Sequence, residues 1–349
     1  MVIRAFPVLF LFALLLACNE PPAATVPPST SPVDSVALAM RSVEQRMVSD
    51  PGDAALYVER AKLYMRIDSL RLAVKDMQRA VALDSNDAEK RILLGNLYYT
   101  TVQVDKATTQ FDRALVLQPE NTEALLRLAE IKLVLRDHKG SIDLVNKALR
   151  KDPNLAKGYY LKGWVYMELG DTATAISSYR TATEQDPQDY QSFLQLGLLS
   201  AGKDDPLALQ YLNTAIELRP FSVEAHYAKA MFAQEHGKDS LALETYARIM
   251  AIDSNNALAP YNSGYVRMEH LNDPGRAKAD FSKAIALNTN YYPAWYNRGV
   301  AMERTGQLDS AAANYQIALR IEPGFTEAAV ALDRLAKQGV RIKMARTTK

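Results

Sequence analysis

The chain has 349 residues, with 41 Lys and Arg against 40 Asp and Glu and a formal net charge of +1. So even a balance supplies none of the basic stripe that nucleic-acid binding needs, and it excludes nucleic acid as a partner class. Hydrophobic residues make up 48% of the chain, enough for a core, and the single cysteine, Cys18, excludes an intrachain disulfide.

The first element is residues 1–17. Arg4 is the only charge, and from Ala5 to Ala17 the chain is apolar, interrupted only by Pro7. An apolar run of about a dozen residues fits a secretory signal peptide, whereas a membrane span needs about 20. The run ends "LLAC", which resembles the lipobox of bacterial lipoproteins. That resemblance implies cleavage before Cys18 and lipidation of its thiol by acyl chains such as palmitate. At about 0.8 kcal/mol per buried methylene, several chains make a lasting membrane anchor. Asn19 follows; in the enteric lipoproteins this resembles, aspartate there retains a protein in the inner membrane, so Asn19 points to the outer one. Residues 18–33 hold five prolines (Pro21, Pro22, Pro27, Pro28, Pro32) and read as a semi-extended tether.

Residues 34–50 read as an amphipathic N-terminal capping helix. From 54 to 325 a frame recurs eight times, about every 34 residues. Its first anchor is small: Ala61, Gly95, Ala129, Gly163, Gly197, Ala230, Gly264, Gly299. Ala73, Ala107, Ser141, Ala175, Ala208, Ala242, Ala277 and Ala311 form the second. The third is bulky: Met77, Phe111, Val145, Tyr179, Leu212, Tyr246, Phe281, Tyr315. Ala80, Ala114, Ala148, Ala182, Ala215, Ile249, Ala284 and Ala318 form the fourth. Glycine within a helix costs about 1 kcal/mol relative to alanine, so its recurrence at one phase demands close helix packing. The small anchor of each first helix is expected to face the two alanines of the second, with the bulky anchor beside them. Asp53, Asp87, Asn121 and Ser222 stand where N-caps are wanted, and prolines follow the second helix in five repeats.

This pattern resembles the tetratricopeptide repeat. The resemblance implies an all-α fold, a right-handed α-solenoid of about eight helix-turn-helix repeats with capping helices. Two repeats depart from the frame. The fifth lacks one residue ("AGKDDPL") and the seventh gains one ("HLNDPGR"), both expected in inter-helix loops. Residues 326–337 read as a C-terminal capping helix, which a stacked array requires at its open face. Residues 338–349 form a basic tail with Arg341, Lys343, Arg346 and Lys349.

No catalytic constellation is present. His138, His226, His236 and His270 lie in different repeats without metal-ligand spacing. There is no phosphate loop and no nucleophile elbow, so the chain reads as a non-enzyme with no cofactor, no metal and no small-molecule substrate. Function must reside on the face of the first helices, which lines the concave side in the family. Positions three before, one after and four after the small anchor share one stripe. From the fourth repeat on, this stripe reads Tyr160, Trp164, Met167; Leu194, Leu198, Ala201; Tyr227, Met231, Gln234; Tyr261, Tyr265, Met268; and Tyr296, Val300, Glu303. Tyr160, Trp164, Met167, Tyr227, Met231, Tyr261, Tyr265 and Tyr296 are the candidate partner-binding residues, since aromatic and methionine side chains are typical interface anchors. Glu89, Glu123, Glu168, Glu224, Glu235 and Glu269 outnumber Lys157, Arg66 and Arg304 on the rim, which suits a segment with apolar anchors and basic flanks.

Lipoproteins with this repeat assist pilus assembly, outer-membrane protein insertion and wall-hydrolase recruitment. The resemblance therefore implies a lipid-anchored adaptor of the bacterial cell envelope, binding other envelope proteins or peptides. Self-assembly as a structural envelope protein is the alternative.

Overall fold

The computed structural model describes residues 32–341, so the signal segment, Cys18, most of the tether and residues 342–349 of the basic tail lie outside the described residues. Among the described residues all regular structure is helical, in the solenoid arrangement of paired helices. The described residues divide into two compact units, 32–85 and 86–341.

The first unit contains α1 (Pro32–Ser49), α2 (Ala54–Arg66) and α3 (Leu70–Leu83). Val36 and Val43 of α1 bury against Leu56 and Leu63 of α2, and Arg46 pairs with Glu59. Ala61, Ala73, Met77 and Ala80 are completely buried between α2 and α3. A guanidinium fork ties the same two helices, with Arg60 donating to the two Asp76 carboxylate oxygens at 2.7 and 2.8 Å.

The second unit contains seven helix pairs and a final helix. The pairs are α4 (Ala88–Thr100) with α5 (Val104–Leu117), α6 (Thr122–Val134) with α7 (His138–Lys151), α8 (Ala156–Glu168) with α9 (Thr172–Gln185), α10 (Tyr190–Ala201) with α11 (Leu207–Leu218), α12 (Val223–Glu235) with α13 (Asp239–Ile252), α14 (Leu258–Tyr265) with α15 (Pro274–Leu287), and α16 (Tyr292–Arg304) with α17 (Leu308–Ile321). The last helix is α18 (Thr326–Lys337). Five of the first helices have an N-cap side chain that accepts from a first-turn amide: Asp53 from Ala55, Asp87 from Lys90, Asn121 from Ala124, Asp189 from Gln191 and Ser222 from Ala225. Each such cap is worth about 1 kcal/mol.

The recurring anchors meet, but in a different order from the one expected. A Cβ added at Gly163 would lie 2.7 Å from the Tyr179 ring, and one at Gly299 would lie 2.6 Å from Tyr315. Gly95, Gly197 and Gly264 stand in the same relation to Phe111, Leu212 and Phe281. The small residue is therefore the seat of the bulky third anchor itself. The alanines of the second helix are buried beside that contact.

Both irregular repeats take up their length change in helices. In the seventh, α14 continues as a π turn, Val266–His270, and the link to α15 keeps three residues like its neighbours. The Leu271 N–H bonds back to the Val266 carbonyl at 3.2 Å, the wider reach that a π turn provides. The extra residue thus sits in the first helix and not in the loop. One consequence overturns a reading of the stripe: Met268 turns inward, is 2% exposed, and packs on Ala277, Phe281 and Ala301. In the fifth repeat α10 and α11 have 12 residues each, shorter than the other pairs, and the link lengthens to residues 202–206.

Each inter-helix turn contains one left-handed residue: Asp68, Val102, Arg136, Gly170, Asp204, Gly237, Asn272 and Gly306. Glycine is at home there, whereas Val102 at φ 59° is β-branched and exposed. The left-handed region costs an L-residue about 1–2 kcal/mol, and glycine gives back part of that through its unfolded-state freedom. Val102→Gly is expected to stabilise the protein by about 0.5–1 kcal/mol, read as a higher urea midpoint at unchanged m-value.

Candidate functional site

Successive first helices of the second unit approach one another, α4 with α6, α6 with α8 and α10 with α12. Their side chains form a continuous face, and the sequence-selected residues divide into two groups upon it.

One group is built into the packing between repeats. Tyr160 tilts against Trp164 and Tyr179 at ring separations of 6.3 and 5.8 Å. Trp164 lies half-buried against Leu125, Leu161 and Val165, and Met167 against Ala175, Tyr179 and Leu196. Tyr261 contacts Phe281 and Tyr291, and its hydroxyl accepts from Asn297 of the next repeat at 2.9 Å. Tyr296 packs on Tyr315 and Phe325. Burial raises the phenol pKa of Tyr160, Tyr261 and Tyr296, while Tyr291 is pushed up to about 12. Tyr265 stays at the surface, 38% exposed.

The other group, Tyr227 and Met231 on α12, lines an open cleft of about 680 Å³ together with Leu198, Val223, Ala228 and Leu258. That size lies within the range of specific ligand sites. Its floor and walls come from α10, α12 and the start of α14. The cleft exists because bulk is missing on two helices. Ala201 and Gly202 end α10 where other repeats place Met65, Tyr99, Leu133 or Met167, and Ala228 faces them from α12. Tyr227 is held upright, since its ring meets Tyr246 edge-on and its hydroxyl accepts from Asn262 at 2.9 Å. Leu198 and Leu258 stay 38% and 45% exposed, apolar surface without an internal partner.

Two free carboxylates border this cleft, whereas most acids elsewhere on the face are paired. Glu89 accepts from Asn121, and Glu123 from Asn96. Glu130 is paired with Lys157 at 3.0 Å, Glu269 with Arg304 at 2.7 Å and Glu303 with Arg334 at 2.8 Å. Of the rim acids read from the sequence, Glu89, Glu123 and Glu269 are thus spent on bonds between repeats. Glu168, Glu224 and Glu235 are exposed and have no such partner, and the last two border the cleft. These two are eleven positions apart on α12, about 16 Å at 1.5 Å per residue. Eleven steps of 100° return to nearly the same angle, so both carboxylates and the Tyr227, Ala228 and Met231 side chains share one stripe.

The histidines are scattered. His226 is buried with Nε2 at 3.1 Å from the Pro220 carbonyl, and burial lowers its pKa. His270 pairs with Asp239 at 2.7 Å. Among the described residues, no group of three or more His, Cys, Asp or Glu is gathered as for a metal ion, and no helix is long and apolar enough to cross a membrane.

Leu258, Val223 and Ala228 were absent from the sequence-selected set. The signal for them was the run of small residues at the end of α10 opposite Ala228.

Three family models of the tetratricopeptide repeat match the chain, over residues 92–156, 156–189 and 292–325. The chain therefore carries tetratricopeptide repeats, a class of fold built for binding proteins. It is similar to the human protein O-mannosyl-transferase TMTC3, 27% identical over 163 residues, covering 42% of this chain and 18% of that protein. It is also similar to protein FlbA of Caulobacter vibrioides, 24% identical over 194 residues, covering 55% of this chain and 32% of that protein. The chain thus spans under a third of either relative. Among solved structures, pilF of Pseudomonas aeruginosa superposes with a TM-score of 0.53 at 13% identity, over 62% of this chain and 97% of that one, a likeness of fold.

Proposed function

We propose that the protein is a lipid-anchored adaptor of the bacterial cell envelope that holds an extended segment of a partner protein on the face of its first helices. The observation that carries this reading is the open apolar cleft around Tyr227 and Met231, bordered by the unpaired Glu224 and Glu235. An apolar patch with a charged border is the arrangement of a partner site. Anchoring rests on the "LLAC" run and Cys18. A tether of about 3 Å per residue would hold the repeats tens of ångströms from the bilayer, with Asn19 favouring the outer membrane.

Capture of crosslinked partners from cells tests the cleft. Leu198→Lys with Leu258→Lys changes only exposed rim side chains, and it should cut capture at least tenfold at unchanged helical signal. Trp164→Ala with Tyr265→Ala, outside the cleft, should lose less. Full capture by the lysine pair rejects the site. The anchor is tested separately: Cys18→Ala should move the protein from the membrane fraction to the soluble one, and retention in the membrane rejects lipidation.

A further inference from the structure

Glu224 and Glu235 are the only charged residues that line the cleft, and no lysine or arginine stands beside them there. An apolar trough with a free carboxylate toward each end is complementary to an apolar side chain between two cations. The space decides the form of the chain that carries them. Strands of a sheet lie about 4.8 Å apart and sheets about 10 Å, so one extended residue at 3.3 Å takes up about 160 Å³. The cleft of about 680 Å³ then holds four to five extended residues. A helix is about 10 Å across, and 16 Å of it fills about 1,250 Å³, nearly twice that space. Asn256 points the same way. It lines the cleft, its Oδ1 accepts from the Ala259 amide, and its Nδ2 is unused among the described residues. That donor suits a free backbone carbonyl, which an extended chain presents and a helix keeps for its own ladder.

We infer that the cleft reads a five-residue extended segment of a partner protein, with cations at its first and fifth positions and a large apolar side chain at its third. This rests on the reading that the cleft holds an extended partner segment. Side chains of such a segment alternate in direction, so positions one, three and five share a face. Cations four residues apart span about 13 Å. The last 3 Å or so to the separation of Glu224 and Glu235 is within the reach of a flexible lysine or arginine stem. The third side chain faces the same way, over Tyr227 and Met231. It fills the hollow that Ala201, Gly202 and Ala228 leave. Cations five residues apart would point to opposite sides, and only one could meet a carboxylate while the apolar side chain stays in the hollow.

Synthetic peptides added to the full chain in nonionic detergent test the pattern. The probe is a lysine–serine–leucine–serine–lysine peptide with blocked ends, and the readout is the methyl resonance of Met231 in protein labelled at its methionine methyls. The peptide should shift that resonance in a saturable way, and less as salt rises. Glu224→Gln with Glu235→Gln should weaken it about threefold or more at low salt. Serine in place of the leucine should weaken it at least as much. A second serine after the leucine, which sets the lysines five apart, should do the same. No shift of Met231, or a shift indifferent to the Gln pair or to the lysine spacing, overturns the inference. So does tighter binding by a helical peptide with lysines eleven residues apart. If the extended peptide fails while Leu198→Lys with Leu258→Lys still loses captured partners, the pattern is wrong and the cleft reading survives. If both fail, the cleft is not a docking site.

Discussion

Gly163→Leu is expected to cost about 2–3 kcal/mol although it places a strong helix former inside a helix. Propensity alone would favour the change by about 0.8 kcal/mol. Packing decides the sign. A Cβ at this position already meets the Tyr179 ring at 2.7 Å, and Tyr179 is among the largest fully enclosed side chains of the protein. The ring cannot retreat, because Tyr160 and Leu196 pack around it. Overfilling a core of this density costs about 1–3 kcal/mol, at the upper end when the obstacle is a rigid ring. The partner substitution Tyr179→Ala should cost about 3–5 kcal/mol by leaving a cavity. The two together should cost less than their sum by 1 kcal/mol or more, because the leucine occupies part of the space the ring vacates. Urea unfolding of the two single variants and the double variant measures this coupling. Strict additivity would mean that Gly163 and Tyr179 do not share a contact.

That contact also shows what the sequence could reveal. The phase of the small and bulky anchors was legible because every repeat restates it, and the N-caps Asp53, Asp87, Asn121 and Ser222 were legible because capping is local. The mate of each glycine was harder to see. Spacing gave both the alanines and the bulky residue as neighbours, and only side-chain reach makes the ring of Tyr179 or Tyr315 the nearest. The π turn after α14 was hidden for a related reason. Spacing showed an extra residue in the seventh repeat, but a longer loop and a wider helical turn satisfy the same count. The choice rotates Met268 into the core.

The cleft was the least legible feature. It is made by absent side chains on two helices whose sequence positions are about 27 residues apart, Ala201 and Ala228. A stripe read position by position ranks what is present. It therefore favoured Trp164 and the tyrosines, several of which are committed to packing. The acidic rim was overcounted in the same way. Arg304 reaches Glu269 across 35 positions and Lys157 reaches Glu130 across 27, pairings that appear only when first helices lie side by side. What remains unpaired is Glu168, Glu224 and Glu235, and of these only Glu224 and Glu235 border the cleft.

Leu335→Asp should remove about 4 kcal/mol or more, and its damage should be confined to one end of the array. Leu335 is completely buried where α18 covers Ala311, Tyr315 and Ala318 of the last pair. Losing the leucine costs about 2–5 kcal/mol, and an isolated carboxylate in that site adds a further cost unless it takes up a proton. A second contact to α18 depends on the same docking. Glu303 accepts from Tyr315 at 2.7 Å and pairs with Arg334 at 2.8 Å. If α18 leaves, the apolar ends of α16 and α17 face water, with Tyr292 and Tyr296 losing their contacts to Phe325. Stacked repeats are stabilised mainly by their neighbours, so the loss should propagate inward from the uncovered end and decay with distance. Hydrogen exchange is the direct measurement. Protection should fall most in α16–α18, less in α14 and α15, and little in α4–α7. The cleft lies between these limits. Its far wall is the start of α14, where Leu258 stands, and its other walls are α10 and α12. Partner capture should therefore weaken in step with lost protection at Leu258 while Tyr227 and Met231 remain protected. Uniform loss of protection from α4 to α18 would show instead that the seven pairs melt as one unit, and capture would then report global stability and not the integrity of one wall.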